Sequence, residues 1–431
     1  MKKKYILGMI FGAVLIVLIT VFAISASAEN TITVNDKEIE DEKTLVKTVS
    51  SLSRGVSAND VVDKETLETQ LNRYAGSGVT SVTEKSSDIL VVTFLASGRE
   101  YEINVNTGST SLPNTQYTTP YLPTGFIQVA NTDLETGLTI QDNLGNQYVW
   151  IEVPKTSTVY PTAGLNITAF SGDEYTKIEN DLHTYTSVYR NGTTCADEYY
   201  SEEVTGLAEV EYNTLKKNML KSVYQNGGFY IGKYETGIAY SEGARTASGT
   251  STQTPVIQAN SYPYNWVTCT QAQSLANSML SGEYTSSLMF GVQWDLVLKY
   301  LETKGVTQSE LNSDSKEWGN CNNSLWNITN TNAKYMHSGN GWLSAPYEKT
   351  STGIVLLSTG ANDRFCKQGI YDLAGNVNEY TLEKPYNTER TCVQRGGSVN
   401  HSGTEMPVRR RVIWGEWDCA VSDLGFRVTL Y

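Results

Sequence analysis

Ile370-Tyr371-Asp372-Leu373-Ala374-Gly375-Asn376-Val377-Asn378-Glu379, then Arg395-Gly396-Gly397-Ser398, then Leu424-Gly425-Phe426-Arg427 close the chain in this order. Around them the composition is that of a turn-rich β protein. Among 431 residues there are 27 tyrosines and 35 glycines, and only 18% of the side chains are charged, so the surface is polar rather than ionic. Acidic side chains outnumber basic ones 46 to 33, for a net charge of -13. No Lys/Arg stripe of the kind that neutralises phosphates stands out, which argues against a nucleic-acid partner. A chain of this length exceeds one typical domain, and roughly two domains plus a targeting segment are expected.

The N-terminus bears on the compartment. Lys2-Lys3-Lys4 precede an uncharged run from Tyr5 to Ala28 that ends Ala26-Ser27-Ala28-Glu29. A basic n-region, an apolar h-region and a small-x-small site make residues 1–28 an export signal. The run is also long enough, at about twenty residues, to stay uncleaved and anchor the chain through residues 5–28 with its bulk outside. Either way the protein is expected to be extracytoplasmic, secreted or held at the cell surface. Six cysteines, Cys195, Cys269, Cys321, Cys366, Cys392 and Cys419, suit disulfides there, but spacing leaves all fifteen connectivities open.

Residues 29–108 read as a small α+β stalk module. Asp63 is placed to cap a helix with Leu67, Leu71 and Tyr74 on one face. A hairpin follows, with Leu90, Val92 and Phe94 alternating on one arm and Tyr101, Ile103 and Val105 on the other. Residues 109–124, rich in Ser, Thr and Pro, read as a linker. The second domain, 125–431, opens with a strand at Tyr148–Pro154 and continues with another at Phe229–Glu235. Between them lies an insertion with two helical patterns, the clearer carrying Ala208, Tyr212, Leu215, Met219 and Val223 and closing at Asn226-Gly227-Gly228. Two more helices are expected, one capped by Thr270 and one opening at Gln293-Trp294-Asp295. Residues 306–369 read as long loops.

The three terminal blocks resemble the signature of the formylglycine-generating-enzyme (sulfatase-modifying) family. The resemblance implies an α+β, C-type-lectin-like fold for residues 125–431, behind the small α+β module and the signal or anchor helix. Catalytic members hold copper with two cysteines just beyond the Gly-Gly-Ser block and oxidise a substrate cysteine. Here those positions carry His401 and Met406. An imidazole and a thioether do not reproduce a soft dithiolate site, so catalysis by this route is not expected. A copper-dependent oxidase, or another metal enzyme on this fold, is the alternative reading. The resemblance also implies a structural Ca²⁺ held by Asp372 and Glu379 side chains and by the carbonyls of Gly375 and Val377, hard oxygen donors gathered by a tight turn.

Framework positions of the last segment are kept while its interior is idiosyncratic. Asn378, Val399, Asn400, His401, Glu405, Met406, Arg410, Trp414, Glu416, Trp417 and Asp418 form the expected ligand-binding face, rich in side-chain types found at binding hot spots. The resemblance implies a framework arginine in this region, at Arg409 or Arg411. The arrangement also resembles the variable proteins of diversity-generating retroelements. The sequence thus reads as a non-catalytic exported or surface protein that binds an unidentified protein or glycan.

Overall fold

The computed structural model describes residues 45–46, 49, 63–75, 80–94, 99–105, 110–111, 120–280, 284–338, 340–385, 392–413, 415–416 and 418–431. The export segment, Trp414 and Trp417 lie outside the described residues. The chain divides into two compact units, Met1–Tyr117 and Thr118–Tyr431. Helices and mostly short antiparallel sheets coexist in it, an α+β architecture. Among the described residues no helix is long and apolar enough to cross a membrane.

In the first unit the expected period-2 and helical patterns meet in one core. Strands Ile89–Phe94 and Arg99–Asn104 pair antiparallel with Leu90 opposite Ile103 and Val92 opposite Tyr101. Leu67 and Leu71 of the helix Lys64–Ala75 join Leu90, Val92, Phe94, Tyr101, Ile103 and Val105 in that core. Asp63 caps the helix, its Oδ1 accepting the Thr66 amide at 2.7 Å. Thr110–Ser111 adds a further strand beside Glu102 and Ile103, so the sheet runs into the stretch read as linker.

The second unit is built on a six-stranded sheet. Its order is Ser286–Leu288, Val428–Leu430, Gly228–Gly232, Gln147–Glu152, Thr139–Gln141, Ile127–Gln128. The strand Gly228–Gly232 is buried throughout. It pairs Tyr230 with Trp150, whose rings meet edge to face at 4.9 Å. Tyr121 belongs to this unit too: its hydroxyl donates to the Leu430 carbonyl and its own carbonyl accepts from Tyr230. The helix Glu209–Asn226 buries Tyr212, Leu215, Met219 and Val223, and Gly227 ends it in the left-handed region. Ala208 sits just before that helix rather than on its buried face.

Two helix starts differ from the sequence reading. Thr268, not Thr270, caps the helix Cys269–Asn277, in a box with Gln271; Thr270 instead donates its hydroxyl to the Glu203 carbonyl. The helix Gly291–Thr303 opens two residues early and buries Val292, Leu296 and Tyr300 as well as the expected stripe. A helix apolar nearly all round is a core helix. Cys269 and Cys392, both buried, form a disulfide.

The three terminal blocks become three strands of one sheet. Asn378–Tyr380 runs antiparallel to Gln394–Arg395 and parallel to Leu424–Phe426. The turn before it places Asp372, Gly375 and Asn376 at φ 57, 78 and 58°. At Gly375 a Cβ would lie 2.4 Å from the Asn320 carbonyl oxygen. Gly375→Ala therefore combines a left-handed backbone penalty of about 1–2 kcal/mol with a backbone collision. It is expected to lower unfolding free energy by more than about 2 kcal/mol in denaturant titration, while Gly341→Ala, with open space around it, stays within about 0.5 kcal/mol.

Candidate functional site

Beneath the C-terminal segment lies a buried ion network. Arg395, fully buried, donates to Asp295 Oδ1 at 2.7 Å and to Glu383 Oε2 at 3.1 Å. Arg411 reaches the same two carboxylates at 2.6 and 2.8 Å and the Tyr189 carbonyl at 2.9 Å. Arg190 joins them through Asp295 at 3.1 Å and Asp197 at 3.6 Å. Asp197 in turn accepts the amides of Gly291 and Val292 at the start of the core helix, where the helix dipole favours an anion. Three guanidiniums thus face three carboxylates. Burial pushes the Asp295 carboxyl up, but Arg411, Arg395 and Arg190 together hold it below its ordinary value.

This network carries one wall of a cleft of about 610 Å³, set between residues 191–195 and residues 404–413, with Asn312 and Ser313 alongside. The wall is pinned at intervals. Val408 accepts from Trp294 Nε1 at 3.2 Å, Arg411 is locked as above, and Val412 exchanges two backbone hydrogen bonds with Gln394. Arg410, between the pins, and Glu405 and Ile413, which flank them, are exposed. Arg409 gives its Nε to the Asn312 carbonyl at 3.1 Å. Cys195 lines the opposite wall, and burial pushes its thiol up to about 11, so it stands protonated and is a poor nucleophile at neutral pH.

The expected binding residues separate into groups. Glu405, Met406 and Arg410 line the cleft, Met406 from a buried position. Asn400, Glu416 and Asp418 are exposed outside its lining. His401 is half-buried, its Nδ1 at 3.4 Å from the Ser398 hydroxyl and its carbonyl accepting the Asn322 amide. Asn378 and Val399 lie in the interior, Val399 against Leu356 and Val377. Of the expected framework arginines, Arg411 is the more deeply bound.

The residues read as calcium ligands lie in a second buried cluster. Glu379 receives the Arg427 guanidinium on both oxygens, at 2.6 to 3.1 Å, and Arg427 also donates to the Gly232 and Tyr371 carbonyls. Asp372 Oδ2 accepts the Gly360 amide at 2.8 Å, while its Oδ1 is buried without a hydrogen-bond partner. Glu235, absent from the sequence reading of this site, accepts from Asn376 Nδ2 and the Val377 amide. Burial pushes the Glu235 and Glu379 carboxyls up, and that of Asp372 up to about 6. The orphaned Asp372 oxygen suits a hard cation, but a cation at Glu379 would have to displace a buried guanidinium. Three acids share one arginine here.

Among the described residues, Glu179, His183 and Asp197 also come close enough to hold a metal. Lys216 already sits 2.7 Å from Glu179, and Arg190 lies beside Asp197. Burial, with Arg190 and Lys216 nearby, pushes the His183 imidazole down to about 4. Two cations within the group oppose a divalent ion.

No protein-family model and no curated protein sequence matches the chain. The site therefore has to be read from its own chemistry. Arg190, Asp197 and Glu383 carry no signal in the sequence, because each stands in a stretch without helical or strand periodicity or a motif. Buried acids next to arginines emerge only once chain segments are brought together.

Proposed function

We propose that the protein is an exported, catalytically silent recognition protein that seats its ligand in the cleft between residues 191–195 and 404–413. The scaffold in this reading is a lectin-like domain of formylglycine-generating-enzyme type. Its C-terminal segment is the part open to diversification, as in the variable proteins of diversity-generating retroelements. One observation carries the reading: the wall alternates pinned residues, Val408, Arg411 and Val412, with exposed ones, Glu405, Arg410 and Ile413. Exposed side chains can change there without disturbing the fold, which is what a recognition surface on a rigid support requires. His401 and Met406, in place of a thiolate pair, support recognition rather than oxidation.

Filling the cleft tests this. Thr194 is exposed on the cleft wall, and Thr194→Trp is expected to abolish binding of the full chain to its positives on a saccharide and peptide array while leaving its melting temperature unchanged. Array binding that survives Thr194→Trp would move the site elsewhere. Copper- and oxygen-dependent turnover of a cysteine peptide would replace recognition with oxidase chemistry.

A further inference from the structure

We infer that the cleft takes a carboxylate-bearing saccharide, gripped through its carboxylate by the guanidiniums of Arg409 and Arg410. The inference rests on the cleft being the ligand site. It starts from which arginines are already committed. Arg411 is bound on three sides by Asp295, Glu383 and the Tyr189 carbonyl. Arg190, Arg245, Arg364, Arg395 and Arg427 each end on carboxylates or carbonyls, and Arg73 has a partner as well. Arg410 is different. Among the described arginine side chains it alone makes no hydrogen bond or ion pair. Its neighbour Arg409, also on the cleft lining, engages only Nε, on the Asn312 carbonyl, so both terminal nitrogens are without a hydrogen-bond partner.

In a chain with a net charge of -13, two arginines on one cleft lining without a carboxylate partner are a charge excess that an anion would cancel. The planar fork of arginine matches a carboxylate by two parallel hydrogen bonds. Exposed Glu405 shares the rim. With Arg411 neutralised by its own acids, Arg409 and Arg410 against Glu405 leave one positive charge, which suits a monoanion better than a phosphate dianion.

The rest of the lining favours a sugar over a peptide. Asn191, Thr193 and Thr194 on one wall and Asn312 and Ser313 alongside offer amides and hydroxyls, the groups that pair with a ring's hydroxyls. No aromatic side chain is among the described lining residues, so the lining offers Met406, Pro407, Val412 and Ile413 as apolar contacts but no aromatic anchor of the kind that dominates protein-binding hot spots. A volume of about 610 Å³ falls within the range that small ligands occupy.

The test titrates the full chain, by calorimetry and ligand-observed NMR, with N-acetylneuraminic acid and glucuronic acid. N-acetylglucosamine and glucose serve as neutral counterparts, and an Asp/Glu-rich peptide as the other anionic class. Binding of one or both sugar acids is expected, weakened by added salt, with the neutral sugars at least about tenfold weaker. Arg410→Gln and Arg409→Gln are each expected to reduce sugar-acid binding about tenfold or more, Arg410→Gln with the melting temperature unchanged. Sugar acids that bind no better than neutral sugars, that do not bind at all, or that bind both variants as tightly as wild type would overturn the inference, as would preference for the acidic peptide. A neutral sugar or peptide whose binding is lost in Thr194→Trp but kept in Arg410→Gln would sink this inference alone and leave the cleft as the ligand site.

Discussion

Arg395→Met is expected to destabilise the second unit by about 3–5 kcal/mol, the largest effect of any single substitution considered for this protein. Arg395 is fully buried between Asp295 and Glu383, which are buried as well, and its guanidinium lies over the Trp294 ring at 5.5 Å. Removing it leaves three carboxylates facing two guanidiniums in a dry interior. The cost arises chiefly from the uncompensated charge rather than from lost attraction. Asp295, held below its ordinary value by Arg411, Arg395 and Arg190 against the opposing effect of burial, contributes stability above its unfolded pKa and loses it only as pH falls through its lower folded value. Equilibrium urea unfolding of wild type and variant measures the loss. Arg410→Met, on the exposed rim, is the matched control and is expected within about 0.5 kcal/mol. If the two methionine variants unfold alike, the network is not what supports the cleft wall.

Asp372→Asn is expected to stabilise the protein at neutral pH and to do so less, or not at all, in acid. Burial raises the Asp372 carboxyl to about 6 and raises Glu235 and Glu379 with it, since Arg427 compensates only one of the three. A folded-state pKa above the unfolded value means that the native state holds its proton more tightly. The contribution to stability is fully present below the unfolded value of about 4 and is lost as pH rises to about 6. The asparagine can accept the Gly360 amide as Asp372 does, and it has no proton to lose. Its advantage above that window is on the order of 2–3 kcal/mol. Thermal melts on either side of the window read the difference. A variant less stable than wild type at neutral pH would show that the ionised carboxylate is being used. Calcium that raises the melting temperature of the wild type, but not of Asp372→Asn, would identify the user as a bound ion.

Much of the local structure could be read from one-dimensional order because it follows short-range rules. Leu90, Val92 and Phe94 alternate since a strand turns successive side chains to opposite faces, and Tyr212, Leu215, Met219 and Val223 recur since a helix returns every 3.6 residues. Gly227 stops a helix because it adopts the left-handed region without a Cβ penalty. The start of the helix Cys269–Asn277 is ambiguous in the sequence because Thr268 and Thr270 both satisfy the capping pattern, and only packing against Glu203 and Val204 distinguishes them. Asn378 and Val399 were placed on a binding face by their position in the last segment, yet parallel pairing with Leu424 and contact with Leu356 put them inside.

Residue order alone marks the longer strands and helices and the absence of a thiolate pair at positions 401 and 406; residues 306–369, read as long loops, in fact carry the helix Gln308–Asn312 and short strands such as Lys334–His337 and Val355–Leu357, too brief for a period to show. Which charges meet is set by the folding of distant segments onto one another. Arg395 finds Asp295 100 residues away, Arg427 finds Glu379 48 residues away, and Arg411 reaches the Tyr189 carbonyl across 222. Local periodicity reflects the geometry of neighbouring residues along the backbone, so it survives in the order of the letters. A buried ion network, or a cleft between two distant loops, reflects which surfaces the folded chain presses together, and no repeat in the letters records that.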